Sequence, residues 1–260
     1  MHDKLVTIVV PVKRSEPHLG TCLDSLVDQS YGETEIVVAG SALNDITQSL
    51  LDPYRDALTY IEQSGGTGPG HARNMAIIRA TGDYIAFCDA DDYFGRKHIE
   101  KEVETLKNGT AGLTYGDYTL IDAAGSEITT VTIPDWDFES WLRKWYIAFS
   151  TVMTTRDALL RASLFNEQLP VAEDFDLLWK LSAIVTFVRT PGAHTYRRIH
   201  PHSASRATLT LLSSRYKVYK SHGQPGAGAL TFASGLITEP VLHFLYDHPS
   251  LYALSRRFVG

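Results

Sequence analysis

Tyr84-Ile85-Ala86-Phe87-Cys88-Asp89-Ala90-Asp91-Asp92 decides the fold of this chain. Its apolar start lacks the alternation of a half-buried strand and suits one covered on both faces. Three acids then follow within four residues. Carboxylates so close together repel one another unless a counter-charge sits among them. At the carboxyl end of a parallel strand they face the crevice where doubly wound sheets bind ligands. On an extended backbone Asp89 and Asp91 share one side. Two carboxylates so placed suit a divalent cation, which can in turn hold two phosphates. A solvated turn capping the next helix is the competing account, and the strand-end position favours the metal.

Upstream, residues 5–10 form a short β-branched run stopped by Pro11. Pro17 opens a helix with Leu19, Cys22, Leu23, Leu26 and Val27 on one face. Residues 35–39 and 57–62 read as strands. Gly65 to Gly70 is a glycine-rich connection into a helix over 71–80, with Gly82 as its C-terminal cap. A further helix spans 97–107. This alternation predicts an α/β fold with a central, mostly parallel, doubly wound sheet and helices on both faces.

Beyond Ala111 the pattern loosens. Residues 113–121 and 127–133 read as strands about a turn, 137–144 as a short helix, and 148–155 as a strand. A helix over 174–183 precedes strands at 185–189 and 194–199. From Ser205 onward the chain reads helical, broken at 223–226.

The 260 residues carry a net charge of −6, which argues against a nucleic-acid partner. Cys22 and Cys88 read as buried thiols in a reducing compartment, and a cytoplasmic setting is expected. Neither a signal peptide nor an integral membrane segment is expected.

Other residues invite a chemical reading alongside a bland one. The glycine loop lacks the Gly-Lys-Ser/Thr of a P-loop and reads first as a flexible connection. Arg73 lies one turn inside its helix, against the dipole, so an anionic partner and a plain surface arginine are equally good accounts. Glu173 and Asp174 open a helix, where acids are ordinary dipole partners. His194, Tyr196, Arg197, Arg198, His200 and His202 form a dense polar group that suits phosphate or metal contacts.

Taken in order, these pieces resemble the family-two glycosyltransferases, inverting enzymes with the GT-A fold. The matching residues begin with Val9-Val10-Pro11-Val12, Cys22-Leu23-Asp24-Ser25-Leu26, Gln29-Ser30-Tyr31 and Glu35-Ile36-Val37-Val38. Gly70-His71-Ala72-Arg73-Asn74, Ala80-Thr81-Gly82-Asp83-Tyr84 and Asp89-Ala90-Asp91-Asp92 follow. Glu173-Asp174-Phe175-Asp176-Leu177 and Tyr196-Arg197-Arg198-Ile199-His200 complete the set, over about residues 5–205.

The resemblance implies a nucleotide-sugar half over 1–112, an acceptor and catalytic half over 113–204 and a helical extension over 205–260. It implies a nucleotide-diphosphate sugar donor and a small-molecule or glycan acceptor. Asp89 would lie near the donor ribose, and Asp91 would ligate Mg²⁺ or Mn²⁺. Arg73 would approach the nucleotide, with Pro11, Ala90 and Arg197 in the same donor-binding set. His200 would add a late metal or diphosphate contact. Asp174 would be the general base, with Glu173 beside it on the acceptor.

Ala39-Gly40-Ser41 stands where the family shows Asp-Asp-Gly-Ser, which removes the usual support for a uridine donor. Lys180 stands where an arginine is common. A nucleotidyltransferase would need a glycine-rich basic loop after the first strand, and residues 11–16 contain no glycine. A non-catalytic binding module would have no use for both Asp91 and Asp174.

Overall fold

β1 (Val6–Val12) is apolar at successive positions because both its faces are covered. In the computed structural model, which describes residues 4–13, 16–41, 43–199 and 208–246, Val9 packs with Val37, Ile85 and Phe87 on one side of the sheet. Val6, Ile8 and Val10 pack with Leu19, Leu23 and Leu26 on the other. Side-chain alternation along the strand thus feeds two cores.

β1 pairs in parallel with β2 (Thr34–Gly40) and β4 (Tyr84–Phe87), and β3 (Leu58–Glu62) joins β2 in parallel. β8 (Met153–Thr155) runs antiparallel to both β4 and β6 (Ala111–Ile121). β9 (Thr186–Arg198) is parallel to β6, while β5 (Tyr93–Phe94) and β7 (Glu127–Val131) add antiparallel edges. The sheet is therefore mixed, with its continuous parallel block confined to β3-β2-β1-β4.

α1 (Leu19–Val27) and α4 (His98–Asn108) cover one face. α3 (Gly68–Arg79) and α7 (Glu173–Ser182) cover the other. Side-chain caps start three short helices: Asn44 for α2 (Asp45–Leu51), Asp137 for α5 (Phe138–Lys144) and Thr155 for α6 (Arg156–Arg161). α8 (Thr208–Ser221) and α9 (Pro225–Tyr246) follow, separated at Gly223, whose φ is 75°.

Several sequence expectations are corrected. Residues 148–155 do not form one strand: Phe149–Thr151 is a 3₁₀ turn that brings Ser150 toward the acid cluster. The strands expected at 185–189 and 194–199 are one strand, β9, whose register against β6 shifts between Tyr115 and Asp117. Gly192, at φ 84°, absorbs the irregularity. Gly82 does not cap α3, which ends in extended backbone at Ala80. A Cβ at Gly82 would lie 2.6 Å from Thr7 Oγ1, so its role is close approach to β1. His200, His202 and Ser203 lie outside the described residues.

Glu35 fastens this approach. Its carboxylate accepts from Thr7 Oγ1, from Thr81 N at 2.6 Å, and from Gly82 N at 3.1 Å. Burial pushes its pKa up, but these hydrogen bonds prevail and hold it below the ordinary value of 4.5. A depressed carboxylate stabilises the fold above its unfolded pKa, and that stability disappears as pH falls through the folded value. Glu35→Gln should therefore cost about 1–3 kcal/mol in urea unfolding at neutral pH. The gap from wild type should close below about pH 4. An equal gap at both pH values would contradict the assignment.

Candidate active site

The acids beyond β4 stand on a turn, not on extended backbone: Asp92 N donates to Asp89 O at 2.9 Å. Carboxylate oxygens of Asp89, Asp91 and Asp92 all come within 4.8 Å of one another. The three differ in environment. Asp92 is buried, accepting from Ser150 Oγ at 2.6 Å and from Arg198 N at 2.8 Å. Burial, then Asp91 and Asp89, push its carboxyl well above the carboxylate range. Asp92 thus pins the turn to β9, while Asp89 and Asp91 are half-exposed and Asp89 lines the cavity. A cluster of hard oxygen donors fits Mg²⁺ or Mn²⁺.

Two neighbours complete this anchorage. Ser150 Oγ also accepts from Asp89 N at 3.0 Å. The Arg198 guanidinium donates to Asp91 O at 3.1 Å and to Asp122 O at 3.0 Å. Neither residue was singled out as a support from sequence.

Arg73 is buried beneath the acids, contrary to the surface-arginine expectation. It is 4% exposed. Nη1 donates to Glu173 Oε1 and Nη2 to Asp89 Oδ1, both at 2.6 Å. The rings of Phe149 and Phe165 lie 5.3 and 5.4 Å from the guanidinium carbon. Burial works against its charge, but Asp89 and Glu173 outweigh that and raise its pKa. Arg73 therefore joins the donor acids to the helix that carries the expected base.

Its helix neighbours hold the enclosing loop. Asn74 exchanges hydrogen bonds with the Phe165 backbone at 2.9 and 3.0 Å, and its Nδ2 donates to Glu167 at 2.7 Å. His71 Nδ1 meets Glu167 at 2.8 Å.

Glu173 is buried at the start of α7, and its carboxylate is spent on Arg73. Asp174 is half-buried and accepts from Phe175 N at 2.8 Å. Burial, then the Glu173 carboxylate, push its carboxyl up to about 7, against the pull of Arg73. Asp89, Asp174 and Arg197 line one cavity of about 570 Å³, which extends past Trp145 and Tyr146 to Arg215 and Tyr219 on α8. The aromatic and α8 residues carry no local sequence signal, because α8 reaches the cavity only through tertiary packing.

The remaining predicted residues divide. Pro11 is half-buried at the end of β1 opposite Ala39, and Ala90 is buried within the acid turn. The polar group on β9 is split by strand geometry. Arg197 lines the cavity, Arg198 braces the turn, and His194 turns to Thr119 at 2.8 Å. Tyr196 stacks on Tyr93. Lys180 pairs with Asp176 at 2.7 Å and donates to Leu164 O, so it braces α7. Where the family shows acids after β2, Gly40 O accepts from Gln63 N at 2.6 Å and Tyr60 OH at 3.3 Å.

Arg73→Met would leave buried Glu173 without its cation. Such a loss costs about 3–5 kcal/mol. Urea unfolding should show it, and adding Glu173→Gln should recover part of the stability. A loss below about 1 kcal/mol would mean that the pair does not hold the site together.

Residues 7–164 match the family model described as Glycosyl transferase family 2. An uncharacterized glycosyltransferase of Haemophilus influenzae is 27% identical over 164 residues, covering 61% of this chain and 65% of that protein. One from Rickettsia felis is 28% identical over 218 residues, 78% of this chain but 35% of that protein. The chain thus spans only part of the length of these relatives. The Escherichia coli UDP-Glc:alpha-D-GlcNAc-diphosphoundecaprenol beta-1,3-glucosyltransferase WfaP is 27% identical over 226 residues, 85% of this chain and 87% of that one.

Among solved structures, S. aureus TarS 1-349 in complex with UDP-GlcNAc superposes with a TM-score of 0.67 at 18% identity, covering 89% of this chain and 71% of that TarS 1-349 chain. The mannosyltransferase PcManGT of Pyrobaculum calidifontis, in complex with GDP-Man and Mn2+, gives 0.65 at 20% identity, covering 99% of this chain and 83% of that chain. With the GT-A fold and a family match over more than half its length, this chain belongs to glycosyl transferase family 2.

Proposed function

We propose that this chain transfers a sugar from a nucleotide-diphosphate sugar to an acceptor hydroxyl or amine, with inversion, and that Asp174 is the general base. The observation that carries this reading is the shared cavity of Asp89, Asp174 and Arg197, in which Asp174 is held near neutrality. A base with a pKa near the working pH accepts a proton most effectively.

The residues divide the labour. Asp91, helped by Asp89, would hold Mg²⁺ or Mn²⁺. The cation supplies electrostatic stabilisation of the departing diphosphate. Arg197 faces the same space and suits a phosphate oxygen. Asp174 takes the acceptor proton as the new bond forms. Direct attack at the anomeric carbon, with one base, inverts that centre. Glu173, neutralised by Arg73, keeps Asp174 in place. Arg73 and Ala90 shape the donor side from below, with Pro11 beside them on β1. The predicted His200 contact lies outside the described residues and adds nothing to this support.

In this reading residues 1–112 hold the donor, 113–204 hold the acceptor and base, and 205–260 are a helical extension. No helix of the described residues is long and apolar enough to cross a membrane. Cys22 and Cys88 are free and buried, which accords with a cytoplasmic setting.

Asp174→Asn keeps the size of the side chain and the acceptor for Phe175 N. Melting temperature and nucleotide affinity should stay near wild type. The transfer rate should fall by about 10²- to 10⁴-fold. Retention of most turnover would remove Asp174 from the mechanism. The wild-type rate should also rise with pH as Asp174 loses its proton, over a range at or below about pH 7, since a bound cation lowers a neighbouring carboxyl's pKa. A profile flat from about pH 3 to pH 8, over which the protein stays folded, would contradict a titrating base there.

A further inference from the structure

His71 meets an acceptor at each of its two ring nitrogens. Nδ1 lies 2.8 Å from Glu167 Oε2, and Nε2 lies 3.0 Å from the Ser64 carbonyl. A carbonyl only accepts, and so does an ionised carboxylate. Hydrogen bonds from Asn74 first, and then from His71, hold the Glu167 carboxyl below its ordinary value against burial. Both nitrogens of His71 therefore donate, which only the imidazolium can do. The Glu167 contact first, with the Ser64 carbonyl behind it, raises the ring above its ordinary pKa of 6.5 against burial.

A plain brace between two loops is the bland account. The position of the ring goes beyond it. Near the start of α3 a cation works against the helix dipole, so a charge there depends on its acceptors. Ser64 belongs to the glycine-rich loop that leaves β3. β3 lies in the parallel block, so this loop stands at the same carboxyl edge to which β4 delivers Asp89. Gln63 N holds the start of the loop to Gly40 O, and His71 fastens its middle. Gly66 lies against the imidazole, where a Cβ would come within 2.6 Å of Nδ1. Glu167 belongs to the segment after α6, which also supplies Phe165 to the enclosure of Arg73. Glu167 is the charged group that meets the ring, while Arg73, two positions along α3, is engaged with Asp89 and Glu173.

We propose that His71 is a positioning residue for the donor. As an imidazolium it locks the glycine-rich loop against the Glu167 segment, and nucleotide affinity falls as the ring loses its second proton. This rests on the glycosyl-transfer reading, under which the donor lies along the carboxyl edge, and adds a pH control separate from Asp174. A neutral ring keeps a single N–H, so one of its two acceptors then faces a lone pair. The lock is complete well below the pKa of the ring and is lost as pH rises through it.

The test uses the full chain with Mg²⁺ and with UDP and GDP as probes. Calorimetry compares wild type with His71→Gln at about pH 6 and about pH 9, which brackets a raised histidine. Wild type should bind nucleotide about fivefold more tightly at the lower pH, and the gap should close at the higher. Comparing two proteins at each pH cancels the titration of the nucleotide itself. Glu167→Gln leaves Nδ1 an acceptor but removes the charge, so the loss of affinity should move to lower pH. Gly66→Ala displaces the ring without changing its chemistry and should bind as His71→Gln does. Nuclear magnetic resonance of the histidine rings, without nucleotide, should show both nitrogens of His71 protonated at about pH 6.5 in wild type. Amide exchange over residues 64–68, corrected for its intrinsic rate, should lose protection as that ring titrates. These two measurements are made on wild type, so a poorly folding His71→Gln does not block the test. A neutral His71 at about pH 6, an equal gap at both pH values, or no gap would each overturn the inference. Mg²⁺-dependent nucleotide binding, and with it the donor reading, would survive those results. If wild type binds neither UDP nor GDP, the donor reading falls and the inference falls with it.

Discussion

Arg73 joins residues from three distant parts of the chain. Its partner Asp89 is 16 positions away and its partner Glu173 is 100. Two phenylalanine rings flank the guanidinium, and its pair with Glu173 is buried, which strengthens that attraction and makes an unpaired charge there expensive. The result is a fixed separation between the acids at the end of β4 and the start of α7. Asp174 inherits its position from this pairing, because it follows Glu173 directly. Burial is the main cause of its raised proton affinity, to which Glu173 adds and against which Arg73 works.

The acid turn is organised by the same logic of unequal neighbours. Asp92 is the buried fastening between Ser150 and β9, and it also reaches the edge of the cavity. Asp89 is shared between Arg73 and the cleft. In the proposed reading Asp91 would ligate the cation, and its backbone carbonyl is held by Arg198. Three chemically identical side chains therefore take three roles, set by burial and by hydrogen-bond partners.

Much of the first half could be read from sequence because its signals are local. Continuous apolar runs marked β1, β2 and β4, and the helical spacing of Leu19, Cys22, Leu23 and Leu26 marked α1. The acids at the end of β4 followed from the strand itself. The supports did not, because they are long-range. Ser150 sits in a stretch whose composition suits a strand, and only its hydrogen bonds to the acid turn explain the 3₁₀ bend. Residues 185–189 and 194–199 read as two strands, yet left-handed Gly192 between them lets a single strand continue. Arg73 had two equal accounts from sequence, and the choice needed carboxylates from β4 and α7. Arg215 lies on a helix whose contact with Trp145 has no sequence signature at all.

Manganese binding followed by electron paramagnetic resonance tests the central claim most directly, because it reports on the acid cluster without any acceptor. The account predicts weak Mn²⁺ binding by the chain alone, tightened at least tenfold by a nucleoside diphosphate, with the nucleotide tightened equally by Mn²⁺. Asp91→Asn should abolish this mutual effect while leaving the melting temperature near that of wild type. Mn²⁺ binding that is indifferent to both UDP and GDP, or coupling that survives Asp91→Asn, would contradict the assignment of this cleft as a cation-dependent nucleotide-sugar site.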